Sequence, residues 1–180
     1  DEHNKITNSR LFVLDNIINK LPKANGIYHA ILGGNHDRFW VDVGIDLVKF
    51  LSENREDIID LGYSHAFIDF NDSKEDSIAL HHFNNKFTMV DPFGRQKTDI
   101  SALNNAIHNY YSTQDDRDRE NTYIDMFGHF HKSSLDNNNG VCCVPSLLKD
   151  RYQDGAWHGT IYFDSTGRIS EILFKPLIFS

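Results

Sequence analysis

The segment Ile27-Tyr28-His29-Ala30-Ile31-Leu32-Gly33-Gly34-Asn35-His36-Asp37 decides how the chain is read. A short, mainly apolar run, opened by Gly26, stops at two glycines and gives way to three polar residues. Such a run, bounded by turn residues, predicts a buried strand over Ile27 to Leu32 that ends in a tight loop. Glycines let the backbone turn sharply at the carboxyl end of the strand, where open α/β sheets place their ligands. In that loop Asn35 offers a neutral, hard amide oxygen to a metal. His36 projects differently and suits donation to a phosphate oxygen or a leaving group. Asp37 either orients His36 or caps the following helix. The plainer alternative is a polar loop with a helix cap.

The same grammar recurs twice. Thr122 to Phe127 reads as a strand and runs into Gly128-His129-Phe130-His131. Two imidazoles at i and i+2 on extended backbone point to one side, and histidine is a common ligand for transition metals. Ser77-Ile78-Ala79-Leu80 likewise delivers His81-His82. One ligand from that pair suffices; His81 is favoured, leaving His82 to face the substrate or support its neighbour.

Around these segments the pattern alternates. Leu11, Leu14, Ile17, Ile18 and Leu21 recur at helical spacing, with Ser9 as cap and Pro22 beyond the end, so residues 8–21 form a predicted helix. Val43, Leu47, Val48 and Leu51 predict a second helix over residues 41–51, and residues 99–111 predict a third. Strands are expected at His65 to Phe70, joined to Ser77–His82 by a polar hairpin connection, and at Val141 to Val144. Two more, Trp157 to Phe163 and Ile169 to Phe174, are joined through Asp164-Ser165-Thr166-Gly167, a hairpin signal. The result is one domain of mixed α/β type with an antiparallel C-terminal part.

Composition narrows the function classes. With 26 acidic residues against 18 Lys and Arg, the formal net charge is −8, and no basic stripe marks a nucleic-acid binder. An acidic protein still handles phosphate esters when metal cations supply the local positive charge. No apolar run is long enough for a membrane helix, so no membrane partner is expected. The adjacent Cys142 and Cys143 suit two buried thiols in a strand rather than a disulfide, which points to a reducing compartment and a cytoplasmic location. As metal ligands they lack a second Cys pair.

In this order, the strand-Gly-Asn-His-Asp loop, the strand-His segment and the strand-Gly-His-x-His loop resemble the calcineurin-like metallophosphoesterase family. The likeness covers roughly Asn8 to Phe174, and Val144-Pro145-Ser146-Leu147 looks like the segment by which that family's chain returns to its sheet. It implies a metallophosphoesterase-type β-sandwich flanked by helices. It also implies a dinuclear centre of two divalent ions, with Mn, Fe, Zn, Ni and Mg all open. Asn35, His81 and His129 would bind the second ion and His131 the first. His36, assisted by Asp37, would contact the scissile phosphate and aid the leaving oxygen. Arg38 and His82 would face the substrate. The implied reaction is hydrolysis of a phosphate mono- or diester by a metal-activated hydroxide attacking in line.

The chain departs from the family at its start. The early Asp-x-His and Gly-Asp motifs are not matched on strands. Asp1-Glu2-His3 has the letters of the first but no preceding strand. The expectation is therefore a domain missing its first strands, weakly active or inactive by itself. The alternatives are a non-catalytic remnant or binding module with an incomplete metal site, and a small structural zinc protein. His29 is expected to be structural, His65 to lie at the surface, His108 on a helix face, and Trp157-His158 in packing. The oligomeric state is open, and nucleic acid as substrate stays open although the charge does not indicate it.

Overall fold

The computed structural model describes residues 12, 14–71, 76–82, 111–112, 121–128, 134–136, 140–144 and 155–178. The chain divides into two compact units, Asp1–Tyr63 and Ser64–Ser180.

In the first unit, residues 14–20 form helix α1, the described part of the first predicted helix. Strand β1 is His29–Gly33, α2 is Arg38–Asp42, α3 is Leu47–Asn54 and β2 is Ile58–Tyr63. Strands β1 and β2 pair in parallel. The single helix expected over residues 41–51 is two helices. Gly44, at φ 85°, breaks the run, and Asp46 caps α3 by accepting a hydrogen bond from the Lys49 amide at 3.1 Å. Leu14, Leu47, Leu51 and Ile58 are the buried centre of this unit, with Ile17, Ile18, Ile31 and Trp40 packed around them.

One side chain joins these pieces. The Arg55 guanidinium, itself buried, donates through Nη1 to the carbonyls of Ile18 and Leu21, each at 2.8 Å, and through Nη2 to that of Pro22 at 3.0 Å. It thereby satisfies carbonyls that the end of α1 leaves without intrahelical partners. Its remaining donors form a two-pronged pair with Asp57, the Nε bond being 3.0 Å. That hydrogen bond is the main cause that holds the Asp57 carboxyl down at about 2.

In the second unit, β3 (His65–Asp69), β4 (Ser77–His81), β5 (Thr122–Phe127), β6 (Ser134–Asp136) and β7 (Val141–Cys143) form one sheet of order β3-β4-β5-β7-β6. Strands β8 (Gly155–Phe163) and β9 (Ile169–Ile178) form an antiparallel hairpin. The β3–β4 pair is the antiparallel hairpin the polar connection predicted. The antiparallel character expected of the later chain holds for β8–β9 and β6–β7, whereas β4, β5 and β7 run parallel. Central parallel strands are covered on both faces; β4 and β7 are accordingly almost wholly buried, and β5 is buried at Ile124, Asp125 and Phe127.

Register sorts those faces. Ile78 pairs with Ile124, and Met126 with Cys142. This face packs Ile78, Ile124 and Cys142 against Trp157, Ile161, Ile172 and Phe174 of the hairpin. The Trp157 indole also donates to the Cys143 carbonyl at 2.9 Å, so Trp157 packs as expected. Ala79 pairs with Asp125, His81 with Phe127, and these residues occupy the opposite face. The α/β class therefore holds in the sense of helices combined with a multi-stranded mixed sheet. Residues of the third predicted helix, apart from Tyr111, lie outside the described part.

Two outcomes check this packing. A Cβ added at Gly33 would lie 2.4 Å from the Tyr63 ring, and that ring is anchored by its hydroxyl bond to Asp46 at 3.0 Å. Gly33→Ala should therefore cost about 1–3 kcal/mol in denaturant unfolding. Asp57 titrates lower in the folded state, at about 2 against an ordinary 3.8. Its contribution is complete above that ordinary value and disappears as pH falls toward 2. The melting temperature of Asp57→Asn should thus lie below that of the parent at pH 6 and converge on it near pH 2.

Candidate metal and phosphate site

Of the predicted site residues, Asn35, His36, Asp37 and Arg38 lie in the first unit and His81 and His82 in the second. In the first unit β1 ends at Gly33 and the chain turns through Gly34, Asn35, His36 and Asp37 into α2. Asp37 stands at the N-cap position of α2. Its carboxylate accepts a hydrogen bond from the Gly34 amide at 2.8 Å, closing the loop on itself. Neither role foreseen for Asp37 appears among its described hydrogen bonds: the side chain makes no cap hydrogen bond to α2, and its bond goes to the Gly34 amide rather than to His36. His36 is exposed and Asn35 half-buried.

Arg38 opens α2 and lies over the Tyr63 ring, 5.8 Å from its centroid, a cation–π distance. Together with Val41, Asp42, Asp46 and Tyr63 it lines a cleft of about 310 Å³. Burial, with the bond to Asp46, pushes the Tyr63 hydroxyl up to about 12, so Tyr63 acts there as a neutral donor. The two carboxylates beside Arg38 make this a mixed-charge cleft.

In the second unit the parallel register brings β4 and β5 to a common end. His81 pairs with Phe127, and the Gly128 amide donates to the His81 carbonyl at 2.9 Å. Next to it, the Val144 amide donates to the Phe127 carbonyl at 2.8 Å, so β7 finishes at the same edge. The His82 amide donates to the Ser64 carbonyl at 2.7 Å. Gly128 lies so close to His82 that an added Cβ would meet the His82 Cδ2 at 3.0 Å. The structure thus brings together His81, His82 and the start of the Gly-His-x-His loop. His129 and His131 themselves lie outside the described residues, as does Pro145 of the following segment.

His81 is wholly buried and stacks on Phe127 with ring centroids 4.9 Å apart. Its Nε2 lies 2.8 Å from Oδ1 of Asp125, also wholly buried. The Tyr111 hydroxyl donates to the same oxygen at 3.0 Å and meets the Thr122 hydroxyl at 2.9 Å. Asp125 and Tyr111 were not among the residues singled out from the sequence. The available signal was a carboxylate inside the apolar strand Tyr123-Ile124-Asp125-Met126-Phe127, because a charge in a buried strand requires a partner.

Against protein-family profiles, curated proteins and solved structures, the chain finds no match.

At the β4–β5 edge the described side chains that offer imidazole nitrogens are His81 and His82. Metal-ligating histidines commonly hand their second ring nitrogen to a carboxylate, and His81 does so to Asp125. Among the described residues, no group of three or more His, Cys, Asp or Glu side chains converges into a ligand set.

Other histidines separate from this edge in informative ways. His29 Nε2 is hydrogen-bonded to the Pro22 carbonyl at 2.7 Å, the structural role expected. His65 is exposed, as expected, yet it pairs across the strands with His81; partial desolvation by the surrounding chain, and then the neighbouring His81, hold its pKa down. Cys142 and Cys143 are free and buried in β7, and burial pushes the Cys142 thiol up to about 12. Cys142 is then not a reactive thiolate at neutral pH. A colorimetric disulfide reagent should modify neither thiol in the native protein at pH 8 within minutes, and both after unfolding in guanidinium; rapid native labelling would contradict this placement.

Proposed function

We propose that this chain carries metal-ligand and phosphate-contact residues of a metal-dependent phosphoesterase, acting on a phosphate mono- or diester. The observation that supports it most is the parallel β4–β5 register, which sets His81 and His82 beside Gly128 at one strand edge. That adjacency is what a ligand set drawn from the strand-His and Gly-His-x-His segments requires.

In this proposal Asn35, His81, His129 and His131 are metal ligands. The bound ions would be two divalent cations from among Mn, Fe, Zn, Ni and Mg, supplying Lewis-acid polarisation of the phosphoryl oxygens and an acidified water. The protein's own contribution is positioning and charge. His36, exposed at the head of its loop, donates to a phosphate oxygen or protonates the leaving oxygen. Asp37 holds the backbone that carries His36 through its bond to the Gly34 amide. Arg38 supplies a cationic contact to the phosphate, and His82, next to Gly128, faces the substrate. The corresponding fold would be a metallophosphoesterase-type β-sandwich flanked by helices, in a cytoplasmic protein. No described helix is long and apolar enough to cross a membrane.

Metal retention is the primary test, because the sequence leads to an expectation of low turnover for this chain alone. After equilibrium dialysis against Mn²⁺ and against Zn²⁺, the chain should retain at least one ion. His129→Ala should reduce that retention strongly, and p-nitrophenyl or bis-p-nitrophenyl phosphate hydrolysis, where detectable, should cease on chelation. Where activity is measurable, His36→Ala should lower it by about 10²-fold or more. Retention of no metal, together with no metal-dependent hydrolysis of either ester, would overturn the proposal.

A further inference from the structure

His81 is not simply a histidine at a strand end. Its ring is held by a hydrogen bond and by stacking on a neighbouring strand. Nε2 lies 2.8 Å from the Asp125 carboxylate, the ring stacks on Phe127, and both His81 and Asp125 are buried completely. Tyr111 donates to the same carboxylate oxygen at 3.0 Å. Tyr111 is also buried, and its ring lies 6.3 Å from that of Phe67. Asp125 and Ala79 are register partners one strand apart. The carboxylate therefore approaches the His81 ring from within the sheet face, two residues short of the strand end.

We propose that Asp125 and Tyr111 are positioning residues that hold His81 in the Nε2–H tautomer, reserving Nδ1 as the nitrogen that binds a divalent metal. The proposal rests on the metal-site reading above. A neutral imidazole has one N–H and one basic nitrogen. A carboxylate accepts hydrogen bonds and donates none when ionised, so Asp125 selects the tautomer with the proton on Nε2. The basic lone pair is then on Nδ1. Tyr111 fixes the carboxylate by donating to Oδ1, and its own hydroxyl is located by Thr122. The chain Thr122–Tyr111–Asp125–His81 thus orders a ligand from behind, as outer partners of metal-bound histidines do. A purely structural polar network would account for the burial but would set no particular nitrogen aside for metal.

The test uses the whole chain and reads three quantities: Zn²⁺ affinity by competition with a chromophoric chelator, the His81 tautomer by ¹⁵N chemical shifts of the metal-free protein, and melting temperature. In the parent, His81 should show a protonated Nε2 and an unprotonated Nδ1. Asp125→Asn should weaken Zn²⁺ binding by about 10–100-fold and mix the tautomers, because an amide can either donate or accept. Tyr111→Phe should stay folded, weaken binding less, and keep the parent tautomer as the major form. Parent protein with the proton on Nδ1 would overturn the proposal, as would a folded Asp125→Asn that keeps both tautomer and affinity. If Asp125→Asn does not fold, the parent tautomer and the Tyr111→Phe affinity still decide. If the parent binds no Zn²⁺, the metal-site reading fails, and the tautomer separately reports whether Asp125 orients His81.

Discussion

The contact between His81 and Asp125 sets the terms for the second unit. Both side chains are excluded from solvent, and a polar group so placed is costly unless its partners are present. Each is carried by a central strand of a mixed sheet, and register determines that the two face the same way. The apolar face of that sheet is occupied by the β8–β9 hairpin through Trp157, Ile161, Ile172 and Phe174. The other face is left to the polar network of Tyr111, Asp125 and His81. One strand pair thus carries apolar packing on one side and a buried polar network on the other. The first unit has its own polar anchor in Arg55, which connects the end of α1 to the segment leading into β2.

Much of the architecture could be read directly. The strand ending at Gly33, the strands carrying His81 and Gly128, and the C-terminal hairpin all lie close to their expected places. Each is a short apolar run closed by glycine or by a polar turn, and such boundaries are local. The hairpin signal Asp164-Ser165-Thr166-Gly167 acts as expected, with Asp164 accepting from the Thr166 and Arg168 amides and Gly167 at φ 84°. The sequence also placed Cys142 and Cys143 as buried thiols on a strand, and so they are.

What escaped the sequence was non-local or ambiguous in pattern. Strand β2, Ile58 to Tyr63, contains Asp60 and Gly62, and its burial does not alternate cleanly. It is held in place by parallel pairing to a strand far away in the chain. The division between α2 and α3 was overlooked although Gly44 and Asp46 signalled it, because the apolar spacing ran across both. Asp125 was given no role in the strand reading of residues 122–127. It is inward because β5 is central, with both of its faces covered, a fact that only the sheet order reveals. The partnership of Asp125 with Tyr111 is likewise invisible until strand and helix residues are placed together.

The central claim is that the carboxyl edge of β4 and β5 presents a metal ligand at His81. Its most direct measurement is a crystal of the chain grown with Zn²⁺ and recorded at the zinc absorption edge. The account predicts an anomalous peak about 2.0–2.1 Å from His81 Nδ1, with His81 Nε2 still on Asp125. A well-ordered His81 with no peak beside it, or zinc only at other places on the chain, would contradict it.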